Sequence, residues 1–316
     1  MMAPLAPSSY TYYQRPILKE PVWIWTVPMY FYVGGVSGAA LVFGAVTRLI
    51  GGPVLRPLVR KCHWVGFVGG GVGSALLIAD LGRPERFLAM LRVFRLRSPM
   101  SVGSWILALA PPCAGAAAVF GDPVSSLTAG LLGIPLTGYT AVLIANTTIP
   151  VWHEARTSLP ALFIGSAITS AAQLLKLLPL KLPWQARKAL NTFGIIGSVS
   201  ELAAGWVVEQ QVSRVPIVGS PLHEGLSGAL WKASKVMTVA GLALSIFGRS
   251  RSAFRAGAVL GTTGAIALRF AIFHAGKASA RDPRATFQLQ RHDALLPPGD
   301  DGEPYQIEPE TKRQTR

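Results

Sequence analysis

Long apolar runs alternate with short polar segments along most of this chain. Several runs approach or exceed the roughly 20 residues that a helix needs to cross the hydrocarbon of a bilayer. Glycine and proline interrupt the pattern at residues 51–53, 82–84 and 121–123. The pattern predicts an all-α integral membrane protein with eight transmembrane helices, at residues 22–50, 59–79, 101–120, 125–146, 159–178, 189–208, 230–247 and 255–273.

These runs divide the chain into an N-terminal segment (1–21), a transmembrane domain (22–275) and a polar C-terminal tail (276–316). We expect the tail to be partly disordered because it is polar, contains proline and carries mixed charge. A weak internal repeat is visible in the sequence: basic pairs at 60–61 and 187–188 each precede a glycine-containing span. The repeat predicts two four-helix bundles, although chance spacing in a glycine-rich chain would also explain it.

An even number of spans places both termini at one side of the membrane, which we call the terminus face. The loops at 83–97 and 212–228 and the loop around His153 belong to this face. The opposite face carries the loops at 48–61, 121–125, 176–188 and 248–255. Lysine and arginine are nearly balanced between the two faces, so the positive-inside rule does not orient the chain.

Composition supports a membrane protein and excludes nucleic acid as a partner. Only 14% of the residues are charged, against roughly 25% in soluble domains. The net charge of +15 comes mostly from lysine and arginine in short loops beside apolar runs. Such residues normally contact lipid headgroups and determine topology.

A charged loop between the second and third predicted spans has the composition of a docking surface. Apolar residues 87, 90, 91 and 94 follow Pro84 at helical spacing, which predicts a short interfacial helix. Asp80 would order this loop together with Arg83, or would instead be a structural cap or an ion-pair partner. The candidate docking residues are Arg83, Glu85, Arg86, Arg92 and Arg95.

Ionisable side chains within spans mark candidate chemistry, because each costs roughly 2.5–3.5 kcal/mol at the centre of a helix. Glu201 is the deepest acid, and it is either a proton relay or a neutral residue that packs between helices. Asp80 and His274 are further candidate proton donors. Arg269, in the last span, is expected to be the counter-ion of a carboxylate on another helix.

Tyr139 is a phenol inside the fourth span, beside Gly138, which is expected to open space next to it. It could donate a hydrogen bond to a quinone carbonyl and stabilise the charge that develops on reduction, or it could simply pack. Tyr30 and Trp25 of the first span would line this pocket or form an aromatic belt at the interface. Two cysteines without a CxxC motif cannot ligate an iron–sulfur cluster. Because the five histidines are also scattered along the chain, we expect no haem, iron–sulfur cluster or metal in it.

Several segments resemble the NrfD/PsrC family, the membrane subunits of polysulfide-reductase-type complexes. The most specific are residues 80–87, Asp-Leu-Gly-Arg-Pro-Glu-Arg-Phe, and residues 103–105, Gly-Ser-Trp. Segments at 12–23, 138–141, 150–160 and 276–287 extend the resemblance over nearly the whole chain.

The resemblance implies an eight-helix anchor in the inner membrane of a prokaryote that binds a quinone or quinol, either menaquinone or ubiquinone. It would exchange electrons with a ferredoxin-like iron–sulfur subunit, itself attached to a molybdopterin or similar catalytic subunit. Tyr139 matches the tyrosine proposed to bind the headgroup in that family. Whether this chain is itself quinone-reactive or non-catalytic stays open.

Three other readings remain. The first is an ion- or proton-coupled secondary transporter centred on Glu201. The second is a haem-bearing anchor, and the third is a purely structural anchor without a quinone.

Overall fold

A computed structural model describes residues 18–81, 85–92, 94–95, 98–178, 183–248 and 250–286, without the side chains of residues 86–88. Every regular element in these ranges is helical, which confirms the all-α fold. Most of the predicted C-terminal tail and of the N-terminal segment lies outside the described residues. The helices are α1 Thr26–Ile50, α2 Arg56–Asp80, α3 Glu85–Met90, α4 Pro99–Phe120, α5 Pro123–Ala145, α6 Pro150–Glu154, α7 Leu159–Leu177, α8 Trp184–Val212, α9 Pro216–Gly219, α10 Gly225–Phe247 and α11 Arg251–Arg281.

The long helices coincide with the predicted spans. Of the described helices, seven are long and apolar enough to cross a membrane, which makes this a multi-pass membrane protein: α1, α2 with the turn before it, α4, α5, α7, α10 and α11. Helix α8 covers the predicted span at 189–208, and its 29 residues are also long enough to cross. Its hydropathy is lowered by polar residues such as Glu201, Glu209 and Gln210. Helix α11 continues to Arg281, past the predicted domain boundary at residue 275.

Proline and glycine interrupt the apolar pattern because they start and end helices. Pro99 and Pro123 occupy the first turns of α4 and α5, where a missing N–H costs nothing. The Asp122 carboxylate accepts the Ser125 N–H at 2.7 Å and caps α5. This hydrogen bond is the main reason that the pKa of Asp122 is lowered. Gly121 ends α4 with a φ of 66°, which glycine adopts without strain.

The long helices pack in two closed sets of four. In the N-terminal set, α1 contacts α2, α2 contacts α4, α4 contacts α5, and α5 returns to α1. In the C-terminal set, the same ring runs through α7, α8, α10 and α11. Helix α7 joins the sets by packing on α1 and α5. These contacts are consistent with the predicted two four-helix bundles.

Small residues allow the backbones of neighbouring helices to approach each other closely. A Cβ atom at Gly38 of α1 would lie 2.6 Å from the backbone nitrogen of Thr137 on α5. A Cβ atom at Gly197 of α8 would lie 2.5 Å from the backbone nitrogen of Thr169 on α7. Glycine at these positions therefore determines how α5 and α7 approach their neighbours.

Candidate functional site

The phenol of Tyr139 on α5 lies against Gly103 of α4. A Cβ atom at Gly103 would be 1.9 Å from the ring carbon Cζ and 2.3 Å from the hydroxyl oxygen. The ring therefore occupies space that only glycine leaves open. Gly138, expected to open that space, instead faces α7, where its Cβ atom would lie 2.9 Å from Cγ1 of Ile164.

Tyr30 of α1 completes a pair of phenols with Tyr139. Its side chain is 2% exposed, and its ring packs on Gly73 of α2, whose Cβ atom would lie 3.6 Å from Cδ2. The two hydroxyl groups interact electrostatically. Tyr139 is only partly buried, and no described residue is hydrogen-bonded to its hydroxyl. The structure thus brings Tyr30 and Tyr139 together, and a role for either phenol in binding a quinone stays a prediction.

All four helices of the N-terminal set contribute residues to the surroundings of the phenol pair. These residues lie toward the helix ends at the terminus face. Tyr30 and Gly103 lie about one turn after the starts of α1 and α4, and Tyr139 lies about two turns before the end of α5. The connection between α2 and α4 runs across the same end of the set. The paired phenols therefore lie toward the same end of the helix set as the loop predicted to dock a partner.

Asp80 fastens the end of α2 to the start of α1. Its Oδ1 atom accepts hydrogen bonds from the Ile24 N–H at 3.4 Å and from the Thr26 hydroxyl at 3.2 Å. This is the structural role that the sequence left open as an alternative. A proton-donor role for Asp80 stays a prediction.

The structure does not place Trp25 in the phenol pocket. Its side chain is 60% exposed at the start of α1, which is typical of an interfacial tryptophan. Trp23 packs inward instead, stacked on Trp152 with ring centroids 6.0 Å apart. Trp152 is fully buried and donates from Nε1 to the Ile272 carbonyl at 2.9 Å. Sequence reasoning missed this pair because Trp23 precedes the first helix, where no periodic pattern shows which side chain faces inward, and because Trp152 is far away in the chain.

The predicted docking residues are only partly described. Glu85, Arg92 and Arg95 are exposed, whereas Arg83 and the side chain of Arg86 lie outside the described part. Helix α3 ends at Met90 and is therefore shorter than the predicted interfacial helix. Their role in docking stays a prediction.

A buried polar cluster surrounds Glu201 in the C-terminal set. The side chain is 3% exposed, and its Oε1 atom accepts a hydrogen bond from the Thr238 hydroxyl of α10 at 3.1 Å. The hydroxyl groups of Ser166 and Thr169 on α7 lie beside the carboxyl group. The spacing of polar residues at 166, 169, 170 and 173 could have revealed this face of α7 from the sequence.

Arg269 lies where the two helix sets meet. It is 1% exposed and donates from Nη2 to the Phe163 carbonyl at 3.1 Å, while its guanidinium lies 3.9 Å from the Phe163 ring centroid. A Cβ atom at Gly35 of α1 would approach Nη2 to 3.7 Å. Arg269 and Glu201 attract each other. The attraction between the two side chains supports the predicted role of Arg269 as a counter-ion of Glu201. The hydrogen bond and the ring contact of Arg269, however, are made with Phe163.

A polar route leads from Glu201 along α8 and α10 toward the terminus face. Glu201, Ser234, Lys235 and Thr238 line one narrow cavity between these helices. Next along the route, Lys235 forms an ion pair with Glu209, which also accepts a hydrogen bond from the Trp231 indole. Glu201 therefore has polar neighbours that lead to a partly exposed ion pair.

His274 lies apart from both the phenol pair and the polar cluster around Glu201. It is half-buried on α11, and its ring contacts Phe273 with centroids 5.4 Å apart. It lines a surface pocket with Glu224 and Lys277 at the terminus face. The structure does not bring it to Glu201, and its role as a proton donor stays a prediction.

Glu20 ties the segment before α1 to the end of α11. Its carboxylate accepts two hydrogen bonds from the Arg281 guanidinium, at 2.7 and 2.9 Å, and lies 3.5 Å from the Lys277 ammonium. The Arg281 hydrogen bonds, followed by the attraction of both cations, lower the pKa of Glu20 below its ordinary 4.5.

This tie is expected to open in acid. A lowered folded-state pKa means that the stabilisation is complete above pH 4.5 and is lost as pH falls through the lower folded value. The Trp23–Trp152 stack should then loosen, seen as the fluorescence difference between the wild type and Trp23→Phe. A Glu20→Gln variant should lack this transition, and an unchanged transition in that variant would assign it to another group.

Comparison with known families identifies one match. The model of the family described as "Polysulphide reductase, NrfD" matches residues 16–114, which span α1, α2, α3 and most of α4. This confirms the resemblance over that segment, which contains Tyr30, Asp80 and Gly103. No curated protein matches the chain. The match and the spanning helices are consistent with a membrane subunit of an oxidoreductase complex.

Proposed function

We propose that this chain is the quinone- or quinol-interacting membrane subunit of a multi-subunit oxidoreductase in the inner membrane of a prokaryote. The supporting observation is the half-buried Tyr139 phenol over Gly103, with Tyr30 beside it. A phenol whose hydroxyl has no hydrogen-bond partner among the described residues, at the edge of a helix set, suits a carbonyl acceptor that arrives from the lipid. A bound menaquinone or ubiquinone would supply the two-electron, two-proton chemistry.

In this proposal, the protein positions and protonates the headgroup. Tyr139 donates a hydrogen bond from its hydroxyl group to a headgroup oxygen. This hydrogen bond stabilises the negative charge that forms on that oxygen during reduction. Gly103 keeps the phenol in place because any side chain at that position would displace the ring. Tyr30 forms the buried wall behind it.

Electrons would come from or go to a ferredoxin-like iron–sulfur subunit, and through it a molybdopterin or similar catalytic subunit. The loop between α2 and α4 crosses the terminus face next to the phenol pair, and its exposed charges suit a protein partner. Asp80 would act indirectly, because it holds the end of α2, where this loop begins, against the start of α1.

Glu201 would relay protons in the C-terminal set. Its buried carboxyl group stands at the inner end of a row of polar side chains, Thr238, Lys235 and Glu209, along which a proton would pass to or from the partly exposed ion pair. Buried ionisable groups that line a cavity in a membrane protein are typical of proton pathways.

The proposal is tested on the chain purified with its partner subunits. We expect extractable quinone in the complex and quinol-dependent reduction of iron–sulfur centres in a partner, followed by electron paramagnetic resonance. A complex that contains iron–sulfur protein but neither binds nor oxidises quinol would support the purely structural anchor instead.

A second candidate function is proton- or ion-coupled secondary transport, and the buried acid Glu201 between helices of the C-terminal set favours it. Reconstitution of the chain alone in vesicles distinguishes the two. Solute uptake driven by a pH gradient without any partner subunit would support the transporter.

A further inference from the structure

A basic cavity lies at the opposite face, away from the phenol pair and from Glu201. It has a volume of about 540 Å³ and lies between the end of α1, the start of α2 and the end of α4. Three arginines line it: Arg48, Arg56 and Arg60. The rest of its wall comes from the turn at 52–53, from Val59 and from residues 117–121 of α4 and its cap.

Two of these arginines are held in place by the end of α4. Arg48 donates from Nη2 to the Gly121 carbonyl at 2.8 Å, and Arg60 donates from Nε to the Ala118 carbonyl at 3.0 Å. A guanidinium has five N–H donors, so each keeps donors for a ligand. Arg56 is exposed and has no hydrogen bond to a described residue.

The charge of this cavity is poorly balanced. Asp122 is the only acidic residue in the sequence of the four loops at the opposite face. Its carboxylate is engaged by the Ser125 N–H, although it also interacts with Arg48. The cavity lining itself contains three arginines and no acidic residue.

Exposed apolar side chains border the cavity on the membrane side. Phe120 and Val119 line the cavity at the end of α4 and are 79% and 58% exposed. A headgroup in the cavity would therefore have apolar surface directly beside it for acyl chains.

We propose that this cavity binds an anionic phospholipid. Arg48, Arg56 and Arg60 would donate to the phosphate oxygens, and the acyl chains would lie over Val119 and Phe120. Basic pockets between transmembrane helices bind such headgroups, and arginine suits phosphate because of its planar donor geometry. The apolar border favours a lipid over a free phosphate ion.

The test uses the full chain solubilised with its partner subunits and stripped of lipid. Binding of phosphatidylglycerol and phosphatidylcholine is compared by native mass spectrometry, with inorganic phosphate as competitor. We expect phosphatidylglycerol to bind more tightly, and millimolar phosphate not to displace it. Equal binding of the two lipids, or displacement by phosphate, would overturn the proposal.

The matched variants are Arg56→Gln in the cavity and Arg187→Gln, an exposed arginine at the start of α8 on the same face. Arg56→Gln should weaken phosphatidylglycerol binding roughly fivefold, the effect of one juxtamembrane charge. Arg187→Gln should leave binding unchanged. Equal losses in both variants would mean diffuse attraction rather than a site.

Discussion

Replacing Tyr139 by phenylalanine is expected to lower quinol-linked electron transfer by about 10²-fold, the typical effect of removing one donor to a developing oxyanion. The variant loses only the hydroxyl, and the ring still fills the space over Gly103. Folding and assembly with partner subunits should therefore be unchanged. The measurement is quinol-dependent reduction of an artificial acceptor by the purified complex.

A second substitution separates the hydroxyl from the packing. In Gly103→Ala the new methyl group collides with the Tyr139 ring, so the phenol must move and turnover should fall. In the Tyr139→Phe background the donor is already gone, and Gly103→Ala should add little.

Tyr32→Phe is the matched control, because Tyr32 is a buried phenol of the same helix as Tyr30 that lies near Arg269. It should retain nearly full turnover. Full turnover in Tyr139→Phe itself would remove Tyr139 from the mechanism, and a loss as large in Tyr32→Phe would indicate a general effect of deleting a phenol.

Replacing Glu201 by glutamine is expected to lower turnover by about 10²-fold, the lower end of what a positioned proton-transfer group contributes. Glutamine can still accept the hydrogen bond from Thr238 but cannot carry a proton. It also leaves Arg269 without its opposing charge, so some stability should be lost. Thermal unfolding measured beside turnover separates the two effects.

Two carboxylates serve as comparisons for Glu201→Gln. Glu209→Gln removes the partner of Lys235 at the outer end of the polar route, and it should cause a smaller loss than Glu201→Gln. Glu20→Gln lies outside the route and should leave turnover at pH 7 unchanged. A Glu201→Gln variant with wild-type turnover would show that the buried acid only packs, which the sequence left open.

The transporter alternative gives the opposite pattern for this variant. If the chain moves an ion or solute, Glu201→Gln should abolish uptake in vesicles while quinol-linked electron transfer is unaffected. Measuring both activities on one preparation therefore assigns Glu201 to one function or the other.

Several features were predictable because they depend on few residues. Glu201 was recognised as buried because it is an acid within an apolar run, and the structure shows it 3% exposed. The prolines and glycines between spans were recognised as breaks because their backbone restrictions act locally. Tyr139 was singled out from the sequence with Tyr30 and Trp25 as candidate neighbours, and the structure places Tyr30 beside it.

Other features depended on how helices are rotated against each other. The sequence left Trp25 open between the pocket wall and an interfacial belt; the structure leaves its side chain exposed, whereas Trp23 stacks on Trp152 of a distant helix. Gly138 was expected to make room for Tyr139, yet Gly103 of another helix does so. Each depends on which face of a helix meets which neighbour, and a span that is apolar on most sides does not encode its own rotation.

The sequence by itself determined that the chain crosses a membrane several times and roughly where each span lies. The reason is that the free energy of transferring a segment into hydrocarbon is a sum over consecutive residues. Only the tertiary structure decided which polar groups meet: Tyr139 over Gly103, Glu201 beside Thr238, and three arginines around one cavity. These encounters depend on close packing between helices far apart in the chain. Such packing is a property of pairs of surfaces and not of any one segment.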